Sequence, residues 1–135
     1  MTVPPRVLLV DDDPAVRAAL KFAFELEGFV VEDFATAEAF VEQARLSPNS
    51  CLVIDYRLPG MNGLALLALL RARGVLLPAI IITSNPSKAI QRAVADANAT
   101  LVEKPLLCDA LSASIRALVA ATSDRPAAMS ATDRG

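Results

Sequence analysis

Aromatic side chains make up only 4% of this 135-residue chain, so its core has to be built from aliphatics and alanine. Cysteine is almost missing. The two present, Cys51 and Cys108, form neither a disulfide framework nor a zinc-ligand spacing, and the compartment expected is a reducing cytoplasm. An excess of basic charge is also lacking. The formal net charge of −2 supplies no field for a nucleic-acid surface, so no direct nucleic-acid contact is expected. No apolar run approaches the roughly 20 residues of a membrane span, and the opening Met1-Thr2-Val3-Pro4-Pro5-Arg6 is not a signal peptide. What the chain does have is hydrophobic residues at 54%, enough to bury one domain with a tail.

Strong punctuation divides the chain into alternating strands and helices. The first apolar run, Val7-Leu8-Leu9-Val10, ends in Asp11-Asp12. Asp13 then reads as a helix N-cap and Pro14 as the first helical residue. Val16, Leu20, Ala23 and Phe24 recur at helical spacing until Gly28 closes the helix. A short strand is expected over Phe29–Asp33, and a helix capped by Thr36, with Phe40, Val41 and Ala44 as its inner stripe, runs toward the breaker Ser47-Pro48-Asn49. The third strand spans Cys51 to Asp55. After the loop Pro59-Gly60-Met61-Asn62-Gly63, a helix covers Leu64 to Arg73 and stops at Gly74. Its leucines read as core packing rather than a zipper, since the helix is only about three turns long. Residues 79–83 form the fourth strand. Pro86 opens a helix to about Ala97, where Asn98 takes the left-handed turn, and a fifth strand at 100–103 precedes a helix from Leu107 to about Ala121. Runs apolar on both faces, separated by helices, imply a five-stranded parallel sheet in an α/β fold with helices on both faces. Residues 122–135 are polar, lack an apolar face and are expected to be disordered, too short for a helix-turn-helix.

If those strands share one sheet, their polar ends meet at its carboxyl edge, where open α/β sheets place ligand sites. Asp11 and Asp12 end the first strand, Asp55 the third, Thr83-Ser84 the fourth and Lys104-Pro105 the fifth. Three nearby carboxylates repel one another unless a cation joins them. Mg²⁺, or Mn²⁺, suits such an all-oxygen set. One oxygen of Asp55 could then attack phosphorus, an established role for an aspartate, with Lys104 and Thr83 engaging phosphoryl oxygens and Ser84 offering its backbone amide. Taken singly these residues mean less. Asp13 reads as a plain cap, Thr83 as a strand former, and a lone Lys104 would default to surface.

Together, the acid pair, Asp55 within Ile54-Asp55-Tyr56-Arg57-Leu58-Pro59-Gly60-Met61-Asn62-Gly63, Thr83-Ser84 and Lys104-Pro105 resemble the receiver domain of bacterial two-component response regulators. The resemblance covers about residues 5–121, with residues 1–121 taken as the receiver domain, and most resembles receivers of the nitrogen-fixation and LuxR kind. It implies a doubly wound, flavodoxin-like sheet of strand order 2-1-3-4-5. It implies Asp55 as acceptor of a phosphoryl group from a sensor histidine kinase, a phosphotransfer protein or a small donor, in a signalling domain rather than an enzyme. The metal set implied is Asp11, Asp12, Asp55 and the backbone carbonyl of Arg57. Thr83 and Leu101 stand at the switch positions, Arg57 and Asn85 where the family tunes acyl-phosphate lifetime, and Lys104-Pro105 at a cis-proline junction. The implied kinase-facing element is the first helix. The implied output surface is the fourth helix, fifth strand and fifth helix around Lys88, Arg92, Leu101 and Ala110, fit for a target protein or a second copy forming a homodimer.

Three departures stand out. Leu101 replaces the family's Tyr or Phe, Ser84 replaces Ala or Gly, and the loop Asn85-Pro86-Ser87 is short and stiffened by proline. Two other classes share part of this pattern. A pseudo-receiver that binds partners without accepting phosphate fits Leu101, but the complete set of acids, Thr83 and Lys104 opposes it. An aspartate-nucleophile phosphatase of the haloacid-dehalogenase kind matches Asp11-Asp12-Asp13, yet Pro14 follows, there is no room for a cap domain, and no later acid pair follows the lysine.

Overall fold

Why the chain takes this shape is clearest at its turns, seen in a computed structural model whose description covers residues 4–104 and 108–123. After β1 (Arg6–Val10), the Asp13 carboxylate accepts from the amides of Ala15 and Val16 and starts α1 (Pro14–Leu26) with proline in its first turn. Gly28, at φ +94°, closes it in the left-handed region that glycine enters without strain. The later elements are β2 (Val30–Phe34), α2 (Ala37–Gln43), β3 (Ser50–Asp55), α3 (Gly63–Ala72), β4 (Ala79–Thr83), α4 (Lys88–Asp96), β5 (Thr100–Glu103) and α5 (Cys108–Ser123). Thr36 caps α2 as expected, accepting from the Ala39 amide. Asn98, at φ +59°, makes the left-handed turn.

Several boundaries shift by a residue or two from the sequence reading, among them α3 at Gly63–Ala72 and the end of α5 at Ser123, and three shifts have a clear cause. The second strand lies one residue later, because Phe29 turns inward to stack edge-on against Phe24 before pairing begins. The second helix ends at Gln43, well short of Ser47-Pro48-Asn49, since Ala44 is already extended. Pro86 does not open the fourth helix. The Ser87 hydroxyl accepts from the Ile90 amide and makes Ser87 the cap, leaving Pro86 in the preceding loop.

The five strands are all parallel in the order β2-β1-β3-β4-β5. β1 sits between β2 and β3, and Val10 pairs with Ile54. The inner strands β1, β3 and β4 are buried on both faces apart from the first residue of β1, which explains their unbroken apolar runs. One face packs Leu8, Leu52, Ile54 and Ile81 against Phe40, Leu66, Leu67, Leu70 and Val94 of α2, α3 and α4. The other packs Val7, Val53, Ile80 and Ile82 against Leu20 and Phe24 of α1 and Leu111, Ile115 and Val119 of α5. On this second side Arg116 of α5 reaches the turn after α1. It donates to the Glu27 carboxylate and carbonyl and lies 4.8 Å above the Phe29 ring. Among the described residues, no helix is long and apolar enough to cross a membrane.

Candidate functional site

Parallel pairing carries β1 and β3 side by side to the carboxyl edge, so Asp11, one residue past Val10, arrives beside Asp55. Asp55 itself closes β3, in register with Ile82 of β4. One ligand oxygen from each of Asp11, Asp12 and Asp55 lies within 4.8 Å of the others. The three are not equivalent. Asp11 is 1% exposed and Asp55 5%, whereas Asp12 faces solvent.

Asp11 is held from several sides. Its amide donates to the Phe34 carbonyl at 3.1 Å and one carboxylate oxygen accepts from the Asp13 amide at 2.9 Å. Its other oxygen, Oδ2, is buried with no hydrogen-bond partner. Burial pushes the Asp11 carboxyl up from 3.8 to about 6; the Asp13 amide opposes this, and the Asp55 charge adds to it. A buried carboxylate oxygen left without a partner is costly, and an all-oxygen set of carboxylates so close together is what a hard divalent cation binds. The residues present therefore fit Mg²⁺ or Mn²⁺.

Around Asp55 the remaining expected residues converge. The Arg57 amide donates to Oδ1 at 3.1 Å, and Lys104 Nζ stands 3.5 Å from Oδ2. Lys104 is delivered by β5, its own amide bonded to the Thr83 carbonyl at 2.9 Å. Thr83 is 3% exposed, and its hydroxyl makes a long 3.5 Å contact to the Ser84 carbonyl. Ser84 and Asn85 are exposed, with Asn85 in a left-handed turn at φ +47°. Leu101 is half-buried against the α4 side of the core, while Lys88, Arg92 and Ala110 are exposed. Pro105, the expected cis junction, lies outside the described residues, as do residues 124–135 of the tail expected to be disordered; its first two residues, Thr122 and Ser123, instead continue α5.

Behind the acids the loop is packed against the strand. A Cβ on Gly63 would stand 2.5 Å from the Asp55 carbonyl oxygen and 2.9 Å from Ile54 Cγ2, so only glycine lets α3 start against the end of β3. Tyr56, next to Asp55, is half-buried with its amide bonded to the Ile82 carbonyl. Sequence reasoning missed one group. Arg17 of α1 donates to the Asp11 carbonyl at 2.8 Å and to Asp33 of β2 at 3.0 Å, and Lys21 stands 3.4 Å from the other Asp33 oxygen.

The fold and this edge define an α/β receiver: a parallel sheet whose strand ends gather acids, a hydroxyl and an ammonium. The model of the response regulator receiver domain matches residues 7–116, and the chain belongs to that family. It is 36% identical over 82% of its length to the transcriptional regulatory protein FixJ of Azorhizobium caulinodans, covering 53% of that protein. It is 35% identical over 86% of its length to the C4-dicarboxylate transport transcriptional regulatory protein DctD of Rhizobium meliloti, covering 25% of it. The chain thus spans about half or less of these two relatives. Among solved structures, the response regulator StyR is 32% identical, with a TM-score of 0.79, covering 98% of this chain and 67% of that one. The receiver domain of the Francisella response regulator 1452 has a TM-score of 0.79 at 25% identity, covering 87% of this chain and 98% of its own. The chain is a receiver domain of two-component signal transduction, a signalling domain.

Proposed function

We propose that Asp55 is the phosphoryl acceptor, and the observation that carries this is its surroundings. A buried carboxylate at the sheet edge has Lys104 Nζ 3.5 Å from one oxygen and the Asp11 and Asp12 carboxylates beside it. An Asp55 oxygen attacks phosphorus of a phosphohistidine on a sensor kinase or phosphotransfer protein, or of a small donor. The bond from phosphorus to the leaving nitrogen or oxygen breaks with its electron pair, and an acyl phosphate forms. Water later cleaves it, so the domain is a reversible acceptor rather than a turnover enzyme.

Each neighbour has a part. The Arg57 amide orients the Asp55 carboxylate through Oδ1. Lys104 transfers its charge from the carboxylate to the incoming phosphoryl oxygens. The long Thr83 contact is a weak bond, readily exchanged for one to phosphate, and the Ser84 amide supplies a further donor. Asp11, Asp12, Asp55 and the Arg57 carbonyl would hold Mg²⁺ or Mn²⁺, which supplies positive charge against the anionic group. Arg57 and Asn85, at the rim, set how long the acyl phosphate lasts.

The added charge of about −1.5 to −2 gives Thr83 and Lys104 contacts that only the phosphorylated state has, which biases a two-state equilibrium. Leu101, beside α4, fills space as Thr83 moves inward. The response emerges on α4, β5 and α5 around Lys88, Arg92, Leu101 and Ala110, where a target protein or second copy binds. The donor meets α1, which carries Phe22 at 65% and Leu26 at 72% exposure. The receiver unit spans residues 1–121, and the location is cytoplasmic. The test is Asp55→Asn with acetyl phosphate and Mg²⁺, followed by intact mass: the native chain gains one phosphoryl group and the variant none. Equal uptake by the variant would move the acceptor elsewhere. Beryllofluoride with Mg²⁺ should shift amides at Thr83 and Leu101 as well as in the pocket.

A further inference from the structure

We propose that Arg17 and Asp33 are a positioning pair for the cation, setting its affinity by fixing the peptide that joins Asp11 to Asp12. The proposal rests on the metal site described above and adds two residues that do not touch the ion.

The peptide between Asp11 and Asp12 decides where the exposed Asp12 carboxylate goes. On its upstream side Asp11 is fixed, with its amide on the Phe34 carbonyl and one carboxylate oxygen on the Asp13 amide. The remaining freedom is rotation of the peptide whose oxygen is the Asp11 carbonyl. That oxygen accepts from Arg17 Nη1 at 2.8 Å, the shortest bond Asp11 makes. Arg17 is itself oriented, because its Nε donates at 3.0 Å to Asp33 on the neighbouring strand. Asp33 is held at its other oxygen by Lys21, one turn along α1 from Arg17. Asp33 pairs in register with Leu9, two residues before Asp11. A chain of contacts therefore runs from the edge strand through one guanidinium to the backbone of the acid pair. Arg17 and Asp33 are both less than a third exposed, so the pair is not a solvated surface bridge of little consequence.

Charge and positioning make opposite predictions at Arg17. If Arg17 acted only through its charge, Arg17→Met would remove a repelling cation and tighten metal binding. If it holds the carbonyl, Arg17→Met weakens binding, by about tenfold as for other groups that orient metal ligands. The probe is Mn²⁺ alone, titrated against the metal-free chain by electron paramagnetic resonance, with urea unfolding measured in parallel. Arg17→Met is expected to raise the Mn²⁺ dissociation constant by about tenfold, Arg17→Lys to recover part of the loss, and the double variant with Asp33→Asn to lose no more than Arg17→Met. Should Arg17→Met fail to fold, Asp33→Asn carries the test at high ionic strength, where a distant charge is screened and a positional loss persists.

Mn²⁺ affinity unchanged or tightened in Arg17→Met overturns the proposal. So does a loss in Asp33→Asn that disappears in salt, or an equal loss in Val31→Ala, which weakens the same strand while leaving the Arg17 and Asp33 side chains in place. A native chain that binds no Mn²⁺ would instead sink the metal-site reading and this inference with it.

Discussion

Helices α3 and α4 are neighbours of similar length on the same face of the sheet, and they are attached very differently. α3 buries Leu66, Leu67 and Leu70 and begins at Gly63, pressed against the Asp55 backbone. α4 buries Val94 alone, helped by half-buried Ile90 and Ala97. The lesson is about which element can respond. Each fully buried aliphatic side chain is worth roughly 1.5–3 kcal/mol, so moving α3 means giving up several such terms and moving α4 about one. Low local stability is where moving elements are found, and α4 follows directly from the Thr83 loop.

Breaking this contrast takes large changes first. Leu67→Ala should destabilise the fold by about 2–5 kcal/mol, measured by urea unfolding. A value no larger than that of Val94→Ala would erase the distinction. The next test asks whether pocket charge rather than packing loosens α4. Asp11 binds its proton more tightly folded than unfolded, since its pKa is raised from 3.8 to about 6. Its contribution is therefore fully present below pH 3.8 and is lost as pH rises through about 6, a loss on the order of 3 kcal/mol. In metal-free buffer, stability should fall across that window and Asp11→Asn should flatten the fall. Hydrogen exchange should show slow α3 amides following the global loss while α4 stays the faster helix at both ends. If α4 alone loosened, charge would be the cause.

Gly63→Ala forces a Cβ against the Asp55 carbonyl and should destabilise by about 1–3 kcal/mol, with the Tyr56 amide resonance shifted. Val94→Ala should lose about 1–2 kcal/mol and raise exchange in α4 more than in α3. Smallest is Ser87→Ala, which removes the α4 cap and should lower stability by about 1 kcal/mol, with exchange rising first at Ile90.

The same contrast shows what a sequence can disclose. Among the described residues, pattern reading found every strand and helix because the inner strands are apolar on both faces and Asp13-Pro14, Thr36, Gly74 and Asn98 are local signals that tertiary context did not overrule. Asp11, Asp55, Thr83 and Lys104 were legible as candidates because each ends a strand or directly follows one, and parallel strands bring such ends together. The start of α4 was misread because proline favours a first turn, while the Ser87 hydroxyl, one residue on, made the better cap. The different burial of Asp11 and Asp12 left no mark in two identical letters. The Arg17–Asp33 contact was illegible for another reason. The residues are 16 apart and meet only because the edge strand pairs beside β1, a fact of sheet order rather than of local pattern.

The neighbour of Asp55 also has a practical meaning. The chain contains one tyrosine and no tryptophan, and that tyrosine, Tyr56, is fastened by its amide to β4 at Ile82. Native near-ultraviolet emission consequently originates almost wholly from a ring one residue from the acid. An unlabelled sample carries its own lamp at the pocket, so loading of the carboxylates can be followed optically in the unaltered molecule.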